Sequence, residues 1–239
     1  MYRTYSPKTF LRQTPNAILK AYFEKKPFTL KGVDFDELGE TNIDPIMQAI
    51  DDLPPGRQTE VEVDFRAVSE MACAAGTRAI LEEAAFHKKY WADAFEAMRN
   101  HYERAFWTCL NEPSIFDIAG YFTEMDSLGS WRRRFAGRNL KPAIEKADLA
   151  ALAKGISVHY AKEGRGHHCK VDNYLRQNPE RHCYFVYPED YATTDMEVDD
   201  TGQFQERPRK PTFEIVFVYR PEEGSWRPAH PAGRTRSKR

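Results

Sequence analysis

The side chains with the widest chemical repertoire in this chain lie close together in the sequence. Six of its eleven histidines and cysteines fall between positions 159 and 183. They are His159, His167, His168, Cys169, His182 and Cys183. Imidazole and thiolate groups bind transition metals, and a thiolate is also a nucleophile. This segment is therefore the first place to look for a metal site or a catalytic cysteine.

A zinc site needs three or four ligands that converge on one ion, each about 2.0 to 2.3 Å from it. Neighbouring residues of an extended strand point to opposite faces, so only one of His182 and Cys183 can join a given site. The same rule pairs His167 with Cys169. The resulting hypothesis is a zinc site built from His159, His167, Cys169 and His182. The spacing matches no established zinc motif, so we expect no cofactor, with zinc or magnesium as the alternative.

Cys169 raises a second hypothesis, nucleophilic catalysis. It lies between His168 and Lys170. Cationic neighbours lower the pKa of a thiol and so favour the reactive thiolate. The segment therefore predicts a lowered pKa for Cys169 if this cysteine is catalytic.

Three carboxylates on predicted strands form a further candidate site. Asp195 and Glu197 alternate with apolar residues in one strand, and Glu214 lies in the next predicted apolar strand. Carboxylates on neighbouring strands hold Mg²⁺ in many nucleases and hydrolases. The alternative interpretation is a solvated strand face plus one buried ion pair, because the lysine expected two residues after Glu214 is replaced by Val216.

A basic tract with interleaved aromatic residues indicates contact with an anionic partner. Arginines contact phosphates and aromatic rings stack on bases, so the tract suits nucleic acid. An acidic protein surface would fit the same charges. The predicted binding residues are Trp131, Arg132, Arg133, Arg134, Arg138, Arg165 and Lys170.

Charge is distributed unevenly along the 239 residues, although the net charge is only −1. Residues 33–64 contain ten carboxylates and one cation, whereas residues 127–181 contain twelve Lys or Arg and five acids. No apolar run approaches the roughly 18 residues that would span a bilayer, so we expect no membrane partner. The N-terminus lacks the apolar region of a secretory signal, and four cysteines without a CxxC pair are typical of a reducing compartment. These features predict a cytoplasmic protein.

The elements that would position these residues change type along the chain. Apolar residues recur every three or four positions over 89–110, which predicts one long helix with a buried stripe. Residues 181–187, 193–199 and 212–220 are rich in Val, Ile, Thr and aromatic residues, which predicts strands. The expected fold is α+β, with a mostly helical region over 1–163 packed on a small antiparallel sheet over 164–224. We expect one domain over 1–224, followed by a disordered basic, proline-rich tail over 225–239.

The function that fits these patterns best is that of a cytoplasmic, non-enzymatic binding or adaptor protein. Its basic surface would contact nucleic acid or an acidic protein. Two alternatives stay open at this point. One is a metal-dependent hydrolase or nuclease that uses the His/Cys cluster with the strand carboxylates, and the other is a structural subunit of a larger assembly.

Overall fold

The computed structural model of the chain describes residues 5–129, 131–137, 140–177, 179–199 and 201–229. Within these ranges the helices are α1 (Pro7–Gln13), α2 (Asn16–Glu24), α3 (Asp44–Asp51), α4 (Pro55–Met71), α5 (Ala74–Phe86), α6 (Ala92–Ala97), α7 (His101–Asn111), α8 (Pro113–Asp126) and α9 (Lys146–Ala161). The strands are β1 (Arg134–Phe135), β2 (Cys169–Arg176), β3 (Arg181–Pro188), β4 (Thr193–Val198), β5 (Phe204–Arg209), β6 (Ile215–Arg220) and β7 (Ser225–Ala229). The predicted α+β class, helical first and sheet-containing afterwards, is confirmed.

The chain divides into two compact units. The helical unit comprises Met1–Glu124 with Val198–Gln203, and the sheet unit comprises Met125–Glu197 with Phe204–Arg239. The last helix, α9, belongs to the sheet unit and packs against β2 and β3. That helices and sheet share the core of a single domain stays a prediction. None of the described helices is long and apolar enough to cross a membrane.

Aromatic rings form the centre of the helical unit. Phe65 of α4 stacks on Phe10 of α1 with ring centroids 4.4 Å apart, and it meets the edge of Phe106 of α7 at 5.8 Å. Tyr22 and Phe23 of α2 contact the same Phe65 ring. Such rings bury large apolar areas and prefer these stacked and edge-to-face arrangements. The core of this unit is therefore fixed mainly by α1, α2, α4 and α7.

The long helix predicted over 89–110 is instead two helices, α6 and α7. Asn100 separates them, because its side chain accepts hydrogen bonds from the backbone N–H groups of Tyr102 (2.9 Å) and Glu103 (3.0 Å). An asparagine at this position caps a helix start and favours a new helix over continuation of the old one. The predicted stripe is nevertheless core, since Phe95, Tyr102 and Phe106 are all buried.

The sheet unit contains a five-stranded sheet in the order β1-β7-β6-β3-β2, in which every pair is antiparallel. The strands β4 and β5 form a separate two-stranded sheet. The predicted strand over 212–220 is the central strand β6, which begins at Ile215 and buries Ile215, Val216 and Val218. The other two predicted strands correspond to β3 and β4.

The prediction of a disordered tail from residue 225 is wrong for its first five residues. Ser225–Ala229 form β7, which lies between β6 and β1. A proline lacks a backbone N–H but keeps its carbonyl acceptor. The carbonyl of Pro228 accepts a hydrogen bond from the backbone N–H of Arg132 at 3.3 Å, so this proline fits within the sheet. Residues 230–239 lie outside the described ranges.

Candidate nucleic-acid interface

The pairing of β2 with β3 separates the histidines and cysteines that the sequence brings together. Cys169 pairs with Pro188 at one end of the two strands, whereas His182 pairs with Leu175 towards the other. Six residue steps along β2 lie between these two pairs, which corresponds to about 20 Å at the usual rise of a strand. His159 lies in the last turn of α9, and His167 precedes β2.

A single zinc ion does not fit the predicted set of His159, His167, Cys169 and His182. Zinc holds its ligands at about 2.0 to 2.3 Å, which the separation of Cys169 from His182 excludes. Across the described part of the chain, no three His, Cys, Asp or Glu side chains are grouped as metal ligands. His182 is instead a buried histidine whose pKa is lowered by that burial.

The cysteines in this segment do not have the lowered pKa expected of a catalytic thiol. Burial raises the pKa of the Cys169 thiol to about 11 and that of the Cys183 thiol to about 12. Burial disfavours the thiolate because the charge loses its hydration. The prediction of a lowered pKa at Cys169 is therefore wrong, and both thiols are protonated at neutral pH.

The three predicted catalytic carboxylates lie in two different sheets. Asp195 and Glu197 are in β4 and form ion pairs across the two-stranded sheet with Arg209 and with Arg207, the latter at 3.2 Å. Glu214 is buried and immediately precedes β6 of the five-stranded sheet. The described structure does not group these residues as metal ligands. Asp195 and Glu197 are half-buried and ion-paired, whereas Met196 and Val198 of the same strand are exposed.

Two of the predicted binding residues are held by contacts within the protein. The guanidinium of Arg165 lies 4.5 Å from the ring centroid of Phe213 and 4.9 Å from that of Tyr160. It also pairs with Glu163 at 2.8 Å and with Asp190 at 3.2 Å. Lys170 pairs with Asp172 at 2.9 Å. The Arg165 side chain, which lies shortly before β2, is therefore held in place by these contacts. The charge of Lys170 is shared with a carboxylate.

One residue of the basic tract, Arg134, lies in β1, the edge strand of the five-stranded sheet, and Arg132 and Arg133 directly precede that strand. Arg132, Arg133 and Arg134 are exposed, and Trp131 is half-buried with its indole N–H donating to the Leu128 carbonyl at 3.0 Å. Within the described ranges, no carboxylate lies at ion-pair distance from Arg132 or Arg134. Arg138 lies outside the described residues. These arginines are therefore accessible, and their role in binding stays a prediction.

Register places aromatic rings beside these arginines. Arg134 pairs with Trp226, and Trp226 pairs with Tyr219, so the three side chains project from the same face of the sheet. Phe217 lies two residues before Tyr219 and shares that face, with its ring centroid 6.0 Å from that of Trp226. All three rings are half-buried. We call Phe217, Tyr219 and Trp226 the aromatic face, and Arg132 with Arg134 the basic edge.

A second polar cluster surrounds Glu223 in the turn between β6 and β7. Its carboxylate accepts hydrogen bonds from Arg220 (2.7 Å), from the hydroxyl of Ser225 (2.8 Å) and from Arg133 (3.1 Å), and Arg227 lies 3.8 Å away. The hydrogen bond from Arg220, followed by that from Ser225, lowers the pKa of Glu223 to about 2. One carboxylate therefore serves three guanidinium groups, which leaves a local excess of positive charge.

The aromatic face and the Glu223 cluster were missed from the sequence. The alternation of Phe217 with Tyr219 is visible in the sequence, but the apolar residues around them do not indicate which face of the strand stays accessible. Trp226 was assigned to a tail, because the prolines that follow it suggested that no strand could form. The signal that could have found it is the Pro-Glu-Glu-Gly turn at 221–224, which predicts a returning strand.

No protein-family model, curated protein or solved structure matches this chain. The function is therefore argued from the placement of the basic edge and the aromatic face within the sheet unit.

Proposed function

We propose that the protein binds single-stranded nucleic acid with the basic edge and the aromatic face. The observation that carries this proposal is the register that sets the exposed Arg134 directly beside Trp226. The guanidinium groups would contact phosphates, and the rings would stack on bases. No enzymatic step is assigned to the surface.

The combination of charge and rings favours nucleic acid over other polyanions. Arginine contacts to phosphate give affinity for any nucleic acid, whereas aromatic stacking needs bases that are not already paired. The stacking surface lies on the sheet, where Trp226 and Phe217 are held by cross-strand packing. The hydroxyl of Tyr219 donates to backbone carbonyls of the segment after β1, at 3.2 Å from that of Leu140. Because Tyr219 is held in this way, we assign base stacking chiefly to Trp226 and Phe217.

The phosphate contacts are tested by titrating a labelled thymidine oligonucleotide of about 20 residues at several salt concentrations. The double variant Arg132→Ala, Arg134→Ala should bind more weakly, and the slope of log affinity against log salt should fall by about 1.4, or about 0.7 per lost contact. The matched control Arg57→Ala, Arg66→Ala removes two ion-paired arginines from α4 and should leave the slope unchanged. An unchanged slope in the first variant would contradict the proposal.

The stacking contact is tested by tryptophan fluorescence with the same oligonucleotide. Stacking of a base on Trp226 should quench part of the emission, and Trp226→Phe should remove that part while keeping a ring in the sheet. Trp91→Phe in the helical unit is the matched control and should keep the quenching. If polyglutamate binds as well as the oligonucleotide and no quenching depends on Trp226, the surface is one for an acidic protein and the nucleic-acid proposal is wrong.

A further inference from the structure

Three arginines follow one another across neighbouring strands on the sheet face opposite the aromatic face. Arg176 of β2 pairs with Arg181 of β3. The pairing of β3 with β6 runs to His182 and Tyr219, so Arg181 and Arg220 are the next residues on these two strands. Side chains at directly opposed positions share a face, with Cβ atoms about 5 Å apart. We call Arg176, Arg181 and Arg220 the arginine row.

The two outer members of the arginine row differ from the central one in their carboxylate partners. Arg176 pairs with Asp126 at 2.7 Å, and Arg220 pairs with Glu223 at 2.7 Å. Within the described residues, no carboxylate lies at ion-pair distance from Arg181. Like charges at opposed positions of a sheet repel each other. The row therefore brings three positive charges together, and among the described residues its central member has no carboxylate at ion-pair distance.

The three arginines occupy adjacent positions on one face of the sheet, the face that also carries Cys183. All three act on the pKa of the Cys183 thiol, which burial raises and which Arg181, Arg176 and Arg220 each lower. The Nε–H groups of Arg181 and Arg220 are buried, and no acceptor lies within hydrogen-bond distance of them among the described residues. The Arg220 side chain retains 22% of its exposure, so the row is open to solvent at the β6–β7 turn.

We propose that the arginine row binds a compact, doubly charged oxyanion, a phosphate that is either free or carried by a small organic molecule. Guanidinium forks donate paired hydrogen bonds to phosphate oxygens, and several forks around one anion are a common arrangement for its recognition. Such an anion would balance the charge of Arg181 and accept from its buried Nε–H. The site lies on the opposite sheet face from Trp226, so it is independent of the proposed nucleic-acid surface.

The binding test is isothermal titration of the whole chain in chloride buffer with inorganic phosphate and, separately, with phenyl phosphate. The proposal predicts saturable binding of at least one of them. Tighter binding of inorganic phosphate identifies a free anion, and tighter binding of phenyl phosphate identifies a phosphate carried by an organic molecule. Arg181→Met should weaken binding about tenfold or more, the usual effect of losing hydrogen bonds to a charged group. Arg207→Met removes an exposed arginine of β5 that pairs with Glu197 of β4, and this variant should leave the affinity unchanged.

Thermal unfolding separates this role from a structural one. In phosphate-free buffer, Arg181→Met should keep the Tm or raise it by about 1 to 3 °C, because it removes the central like charge. Phosphate at about a hundredfold excess over its dissociation constant should raise the wild-type Tm by about 5 to 10 °C, and should not do so for the variant. An arginine with a purely structural role would instead lower the Tm when replaced.

The proposal is overturned if neither ligand binds below about 10 mM, which corresponds to a negligible affinity for a built site. It is also overturned if Arg181→Met binds phosphate as tightly as the wild type. Should that variant not fold, Arg220→Met is the second test, because Glu223 keeps Arg133, Arg227 and Ser225 as partners. The oligonucleotide slope and the Trp226 quenching should be unaffected in either variant, so failure of one proposal is distinguishable from failure of the other.

Discussion

The two units each contain a cluster of charged side chains, and the two clusters differ in their balance of acids and cations. In the helical unit, the ammonium group of Lys26 is shared by Glu60 at 2.7 Å and Asp64 at 2.8 Å. In the sheet unit, the single carboxylate of Glu223 is shared by three arginines. Glu60 also pairs with Arg57 at 2.8 Å, so the first cluster has as many cations as acids, whereas the second has more cations than acids.

The difference lies in how completely each cluster satisfies its own groups. Asp64 also accepts from the Tyr22 hydroxyl at 2.9 Å, and the Lys26 ammonium lies 4.8 Å from the Tyr22 ring centroid. A lysine ammonium has three donors, and that of Lys26 has two carboxylates and the face of one ring around it. Each arginine has five donors, so one carboxylate cannot satisfy three of them. The Lys26 cluster therefore acts as an internal link between α2 and α4, whereas the arginines around Glu223 keep capacity for an external anion.

If the Lys26 cluster is only a link, the packing of aromatic rings should supply most of the stability of the helical unit. Phe65→Ala should lower the free energy of unfolding by about 3 to 5 kcal/mol, because it leaves a cavity among four aromatic rings. Val63→Ala on the same helix is the control, since Val63 is 47% exposed, and its effect should be within about 0.5 kcal/mol. Urea unfolding followed by circular dichroism measures both. A loss below about 1 kcal/mol for Phe65→Ala would show that the rings are not the main support.

The link itself is tested by Lys26→Met, which keeps the aliphatic chain but removes the charge. Asp64 would then lose its ammonium partner and Glu60 would keep Arg57, so we expect a loss of about 1 to 3 kcal/mol in the free energy of unfolding. Lys20→Met is the matched control, because Lys20 pairs with the exposed Asp36 and its replacement should cost clearly less than that of Lys26. Equal losses in the two variants would remove the distinction between a link and a surface pair.

The pH dependence of the Lys26 contribution follows from its pKa. Burial lowers the pKa of Lys26, but the hydrogen bonds with Asp64 and Glu60 outweigh this effect, and the pKa is raised overall. A raised lysine pKa gives stability that is fully present below the ordinary value and is lost only as the pH rises through the raised value. The difference between Lys26→Met and wild type should therefore be the same at about pH 7 and about pH 9.

Part of the fold was predictable because it depends on local patterns. The strands β3, β4 and β6 were predicted from their β-branched and aromatic residues, and the core stripe of α6 and α7 from its spacing. β2 was not predicted, because its sequence CKVDNYLR mixes charged and apolar residues and follows a glycine-bearing segment. Its strand character comes from pairing with β3 along its whole length. Tertiary pairing of this kind overrides local propensity.

The sequence predicted the basic residues of the candidate site, but not which side chains lie next to them. The exposure of Arg132 and Arg134 follows from the sequence, but their position beside Trp226 depends on a pairing between residues about ninety positions apart. Likewise, the rings that hold Arg165 come from separate segments of the chain. The zinc hypothesis treated closeness in sequence as closeness in space. Two antiparallel strands instead placed Cys169 and His182 near opposite ends of their pairing.

Glu223→Gln tests the cluster of the sheet unit. Of the variants that test the two clusters, we expect it to have the smallest effect on stability. The variant should lose about 1 kcal/mol, because the carboxylate is 35% exposed and water screens its ion pairs. Because the pKa of Glu223 is lowered from 4.5 to about 2, its contribution is present above the ordinary value and is lost as the pH falls through the lowered value. The difference between variant and wild type should therefore be constant above pH 4.5 and should vanish near pH 2. Chemical unfolding at several pH values measures this difference.

The same variant should also bind inorganic phosphate more tightly than the wild type, because the arginines around Glu223 lose their internal competitor. Removal of Glu60 from the Lys26 cluster offers the contrast. Glu60→Gln leaves Asp64 on the ammonium group, so no anion affinity should appear. If Glu223→Gln destabilises the protein without tightening phosphate binding, the arginines of the sheet unit are as fully satisfied internally as Lys26 is. The different charge balance of the two clusters would then have no consequence for binding.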